Sequence, residues 1–152
     1  MVKAIPDGYH SATAYLVVDG ATRAIDFYKR AFGAQELLRI PAPGNRVGHA
    51  EIKIGDSVIM LADEHPEIHA RGPQHYGGSP VSILLYVDDV DVLFKQAIVA
   101  GGTETRPVAD QFYGDRSGSL KDPFGHSWHL STHKEDVSPE ELNRRLAALA
   151  KM

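Results

Sequence analysis

Thr13-Ala14-Tyr15-Leu16-Val17-Val18-Asp19 and Ser82-Ile83-Leu84-Leu85-Tyr86-Val87-Asp88 follow one plan, a short apolar strand closing on Asp, and they stand 69 residues apart. Each leads into a segment of helical periodicity. After the first, Ala21, Ala24, Ile25, Tyr28, Ala31 and Phe32 recur at helical spacing until Gly33. After the second, Val90, Leu93, Phe94, Ala97 and Ile98 do the same until Gly101-Gly102. The chain therefore reads as a duplicated module, which places corresponding side chains around a shared cleft.

Within the first strand, alternation sets Ala12, Ala14, Leu16 and Val18 toward the helices and leaves Thr13 and Tyr15 facing the cleft. Asp19 is the expected N-cap of the first helix, and Asp88 or Asp89 that of the second. Three strands follow in each module. In the first they are Ala34–Ile40, Val47–Ile54 and Ser57–Ala62, with Gly55-Asp56 as a tight hairpin turn. Ala50, Ile52 and Ile54 point to the helices, and His49, Glu51 and Lys53 point away. In the second module the strands are Thr103–Val108, Ser117–Lys121 and His126–Thr132, with Ser127, His129 and Ser131 opposite in parity to Trp128 and Leu130. Trp128 is expected in the core or an interface.

The expected fold is α+β: two tandem βαβββ modules in one domain over residues 1–152, the first at about 9–63 and the second at about 80–133. A capping box, Ser138-Pro139-Glu140-Glu141, opens a C-terminal helix over about 138–151, whose stripe Leu142, Leu146 and Leu149 needs a surface to cover it. Between the modules, residues 64–79 are rich in His, Pro and Gly and are expected to form a flap near the cleft.

Composition excludes several classes of function. The formal charge of −4 comes without any run of Lys or Arg, which argues against nucleic acid and anionic membranes as partners. There is no cysteine, so thiolate metal sites and Cys nucleophiles are excluded, as a reducing cytoplasm permits. No apolar run approaches a signal peptide or the roughly 20 residues of a membrane span. A cytoplasmic location is the expectation.

Tyr113-Gly114-Asp115-Arg116-Ser117-Gly118, Asp122-Pro123-Phe124-Gly125-His126-Ser127-Trp128 and the helix Ala24–Gly33, set in the doubled βαβββ plan, resemble the vicinal oxygen chelate (VOC) superfamily. Glyoxalase I, bleomycin resistance proteins and extradiol dioxygenases belong to it. With Thr132-His133-Lys134-Glu135-Asp136, the chain most resembles its PhnB-like branch. The resemblance implies a curved mixed sheet forming a cleft, and a homodimer in which a second subunit completes it. No reaction follows, because this fold hosts several chemistries.

Metal enzymes of that superfamily draw ligands from the first and last strands of each module. Registering the chain on that pattern selects Thr13 and Ser82, and Met60 and His129, each pair again 69 apart. One imidazole, two hydroxyls and a thioether do not make a site for a hard or borderline divalent ion. The family often carries His where this chain has Leu84. No cofactor is therefore predicted. The expected function is metal-free binding of a small organic molecule by Thr13, Tyr15, Met60, Ser82, Leu84, Tyr86, Tyr113, Arg116 and His129.

Several alternatives stand beside that reading. A glyoxalase- or dioxygenase-type enzyme would use His129 as one metal ligand and recruit His49 or Glu51. Metal-free catalysis would use His129 with Tyr86 or Asp115. Arg116 would pin a carboxylate or phosphonate with Asp115 orienting it, or the two would simply pair to hold a turn. His65 and His69 have i, i+4 spacing, but Pro66 makes His65 at best a cap, and with His75 they read as exposed loop residues.

Overall fold

The computed structural model describes residues 1–152. The first module comprises β1 (Tyr15–Val18), α1 (Ala21–Phe32), β2 (Gln35–Ala42), β3 (Arg46–Ile54) and β4 (Ser57–Asp63). The second comprises β5 (Ser82–Tyr86), α3 (Val90–Ala100), β6 (Thr103–Asp110), β7 (Asp115–Lys121) and β8 (Ser127–His133). A single helical turn, α2 (Pro73–Tyr76), lies between them, and α4 (Pro139–Leu149) follows. No helix is long and apolar enough to cross a membrane.

Each module builds one four-stranded mixed sheet, in the orders β1-β4-β3-β2 and β5-β8-β7-β6. The duplication is visible in the register. Tyr15 pairs with Met60 across the parallel β1/β4 ladder, and Leu84 pairs with His129 across β5/β8. No strand pairing joins the two sheets. Instead α1 and α3 pack on their own sheets and on each other, so one core of 24 buried residues runs through both modules. Phe32 and Trp128 meet in it with ring centroids 4.7 Å apart.

Asp122 holds that junction. Its carboxylate, 4% exposed, accepts hydrogen bonds from Tyr28 Oη of α1 (2.6 Å), Trp128 Nε1 of β8 (2.9 Å) and the backbone N–H groups of Phe124 (2.8 Å) and His126 (3.0 Å). Burial, and then the adjacent Asp122 charge, push the Tyr28 phenol well above its ordinary value, so it remains a donor.

The helix starts differ from the sequence expectation. Asp19 does not cap α1: Gly20 occupies that place with φ 104°, and the side chain of Asp63, at the far end of β4, accepts from the N–H of Gly20 (2.9 Å) and Ala21 (2.8 Å) and from Val47 N–H (2.7 Å). In the second module Asp89 caps α3 through Val92 N–H (3.2 Å), while Thr132, 69 positions after Asp63, accepts from Val90 N–H (2.9 Å). Both modules thus satisfy the first turn of their helix from their last strand, a long-range cap that local spacing does not reveal.

Strand ends also moved. β1 starts only at Tyr15, leaving Ala12 and Ala14 exposed instead of packed on helices, and Thr13 precedes the strand. β2 and β6 each gain two residues at the C-terminal end, because Pro41 and Pro107 are absorbed at register shifts in these edge strands, and β7 starts two residues earlier, at Asp115, which pairs with His133. Residues 64–79 are not a free flap. They carry a short 3-10 turn, Pro66–Ile68, and α2, and they are pinned across the seam between modules: Pro73 packs against Gly125 and Gln74 Nε2 donates to Pro123 O (3.5 Å). The α4 stripe is only partly covered, with Leu146 47% and Leu149 49% exposed, and Arg145 tethers the helix through Phe112 O (2.9 Å) and Glu135 (2.6 Å).

Replacing Asp122 by Ala strands four buried donors. Urea unfolding followed by Trp128 fluorescence is expected to lose about 3 kcal/mol or more, against under about 0.5 kcal/mol for Asp56→Ala in an exposed turn.

Candidate functional site

Alternation along the strands gives each sheet one face on the helices and one face open. On the first sheet the open face carries Tyr15, His49, Glu51 and Met60, with Glu51 paired to Met60 in register. On the second it carries Ser82, Leu84, Tyr86, Ser117, Ser119, His129 and Ser131. The expected cleft residues are therefore divided between two faces, and the cavity that Tyr15 shares with Ser127 of the second sheet does not include Met60 or His129. Tyr15, Leu84 and Tyr86 are 50%, 47% and 65% exposed.

His129 sits centrally on the second face. Its Nδ1 is 2.6 Å from Ser119 Oγ and its Nε2 is 3.0 Å from Ser82 Oγ, so neighbouring strands fix the ring from both sides. Tyr113 lies over the same floor, its hydroxyl 3.4 Å from Ser117 Oγ. At the rim, buried Asp115 accepts from Tyr86 Oη (3.0 Å) and binds His133 Nδ1 (2.7 Å), whose Nε2 meets Asp136 (2.7 Å).

Arg116 lies apart from this face. Being opposite in parity to Asp115, it reaches back over the helix side, where Asp91 of α3 takes Nε (2.8 Å) and Nη2 (2.9 Å) and Asp110 takes Nη1 (3.3 Å). Nor do Asp115 and Arg116 pair to hold a turn. What fixes this motif is backbone proximity: Gly114, at φ 102°, presents its carbonyl to the N–H groups of Lys134 (2.9 Å) and Glu135 (3.1 Å), and a Cβ there would overlap Glu135 O. Gly118 lets Phe94 of α3 and Val108 of β6 close onto β7.

The residues do not fit the superfamily's metal. The two last-strand positions hold a thioether and an imidazole already engaged by two serines, and the chain has no grouping of three or more His, Asp or Glu able to hold an ion. His129 on the second sheet does not join His49 and Glu51 on the first. His65 occupies the cap of the 3-10 turn and His69 its C-cap at φ 60°, with His65 directed to Glu67 (3.3 Å).

Sequence reasoning missed a cluster on the first face. Tyr15 Oη lies 2.7 Å from His49 Nδ1, His49 Nε2 lies 3.1 Å from Glu51 Oε1, and Tyr9 Oη donates to Glu51 Oε2. The alternation of His49 with Glu51 hinted at it. Tyr9, in a segment with no periodicity, gave no signal.

The sequence profile of the Glyoxalase/Bleomycin resistance protein/Dioxygenase superfamily matches residues 10–130. The uncharacterized protein Rv0887c of Mycobacterium tuberculosis is 41% identical over 137 residues, covering 88% of this chain and 81% of that protein. Among solved structures, TioX from Micromonospora sp. ML1 is 26% identical with a TM-score of 0.64, over 85% of this chain and all of that one. A PhnB protein from Bacillus cereus shares the fold at 20% identity and a TM-score of 0.61, over 81% of this chain and 99% of that one.

Hydrogen bonds to Asp115 and then Asp136 raise the His133 imidazole above its ordinary value. A raised folded value means that the stabilisation is complete below the unfolded value, about 6.5, and is lost as pH rises through the folded one. NMR titration of His133 is expected to show a midpoint above about 6.5, moved down by Asp136→Asn; an unmoved midpoint would refute the assignment.

Proposed function

Because the chain belongs to the Glyoxalase/Bleomycin resistance protein/Dioxygenase superfamily, we propose that it is a PhnB-like member that binds a small organic molecule without the usual metal. The single observation that carries this reading is the state of His129: the one strongly coordinating side chain among the four family positions has both ring nitrogens within hydrogen-bond distance of serine hydroxyls. A ring so held orients a ligand by hydrogen bonding and lacks the companion donors that a divalent ion needs. The branch assignment is supported by Gly114–Gly118, Asp122–His126 and Thr132–Asp136.

The working cleft in this reading is formed between two copies. The open face of the first sheet, with Tyr15 and Met60, is covered by the second-sheet face of another chain, with Leu84, Tyr86, Tyr113 and His129. The exposure of Tyr15, Leu84 and Tyr86 supports this, since apolar groups on adjacent open faces gain by mutual burial. Thr13 and Ser82 supply polar contacts at the strand entrances.

Elemental analysis of protein purified without added metal is expected to find no stoichiometric ion. One tightly held divalent ion per chain would overturn the metal-free reading and favour a lyase or dioxygenase. Sedimentation is expected to give a dimer, weakened at least about tenfold by Leu84→Arg, which costs the buried contact and strands a charge. A monomer at all concentrations would remove the shared cleft.

A further inference from the structure

Glu51 is an unusual carboxylate. Its side chain is 18% exposed on the open face of the first sheet, no Lys or Arg pairs with it, and its one basic neighbour is His49. Lys53, the next residue on that face, makes no ion pair with it. The other enclosed carboxylates of the chain have fixed duties, Asp122 and Asp63 to backbone and ring donors, Asp115 to Tyr86 and His133, and Glu64 to Arg71.

Hydrogen-bond polarity around Glu51 follows from the partners. An ionised carboxylate accepts only, so Tyr9 Oη donates to Oε2 and His49 donates its Nε2–H to Oε1. With the His49 tautomer assigned from this network, Nε2–H toward Glu51, Nδ1 accepts from Tyr15 Oη. Both phenols are held above their ordinary values, Tyr9 first by its bond to Glu51 and Tyr15 first by burial, so both keep their protons. Glu51 is held below its ordinary value by Tyr9 and then His49, so it stays charged.

Every proton in the cluster thus points inward toward Glu51. Outward it offers only acceptors: the free lone pairs of the Tyr9 and Tyr15 oxygens and of the carboxylate. Glu51 and Tyr9 also line a cavity of about 500 Å³ whose remaining wall combines apolar Ile5, Pro6 and Met60 with His10, Ser11 and Thr13. The Tyr15 and His49 rings, 5.5 Å apart, flank the same carboxylate.

The geometry points to a cation-reading subsite: Glu51, with Tyr9, Tyr15 and His49, receives a protonated amine carried by an otherwise apolar ligand. An ammonium group supplies the donors the cluster lacks and the charge Glu51 lacks, and the aromatic faces favour it further. At Glu51 itself an anionic group would meet acceptors and a like charge. The subsite is complete within one chain, so it goes beyond the proposed function and needs neither a second copy nor the absence of metal.

The test titrates the full-length protein with benzylammonium, benzyl alcohol and benzoate, read by NMR at the His49 ring and by calorimetry. Benzylammonium is expected to bind saturably, at least tenfold tighter than benzoate, with His49 signals among those shifted. Glu51→Gln is expected to weaken it at least tenfold, and Glu104→Gln, the same charge change on β6, to leave it within twofold. Absent saturable binding, equal affinity for benzoate, or undiminished affinity in a folded Glu51→Gln protein would each overturn the subsite. If Glu51→Gln fails to fold, the ammonium-to-benzoate ratio of the unaltered protein decides alone. Metal content and sedimentation, which test the metal-free dimeric cleft, are independent of these readouts.

Discussion

The arrangement of the whole chain depends on the buried carboxylate of Asp122. A charge in a protein interior is tolerated only when its lone pairs are filled, and here a phenol, an indole and two backbone N–H groups fill them. Tyr28 comes from α1 of the first module, whereas Trp128 and the turn belong to the second. The cost of leaving any of these groups unpaired fixes the two modules in one relative position, with Phe32 against Trp128 as the apolar part of the same joint.

That joint determines where chemistry is available. With α1 and α3 turned toward each other, each sheet keeps one face open, furnished by its own strands. The duplicated modules share long-range helix caps, Asp63 in one and Thr132 in the other, and they share the pairing of a first-strand residue with a last-strand residue. Their open faces nevertheless diverged. One is a carboxylate ringed by aromatic hydroxyls, and the other is an imidazole on a floor of serines.

This divergence is why the residues at the superfamily's ligand positions do not by themselves make up a metal site. The backbone positions that would present ligands are retained, but they hold Thr, Met, Ser and His. The polar capacity of each face is instead spent on hydrogen bonds within that face, which favours recognition of organic functional groups over coordination of an ion.

The sequence by itself determined the doubled βαβββ plan, the face assignments of Ala50, Ile52 and Trp128, the capping box at Ser138 and the position of His129, because these rest on periodicity and short-range geometry. Tertiary structure alone decided the rest. Asp63 displaced Asp19 as the cap of α1, since a side chain 42 residues further on reaches the N–H of Ala21 at lower strain than the adjacent one. Asp91, 25 residues away, holds the guanidinium of Arg116 on the helix side of the sheet. Tyr9 reached Glu51 across 42 residues from a segment without pattern. Local sequence specifies which groups a strand presents, but pairing among polar groups is settled by whichever partners the packed chain brings within about 3 Å, and those partners are remote in sequence.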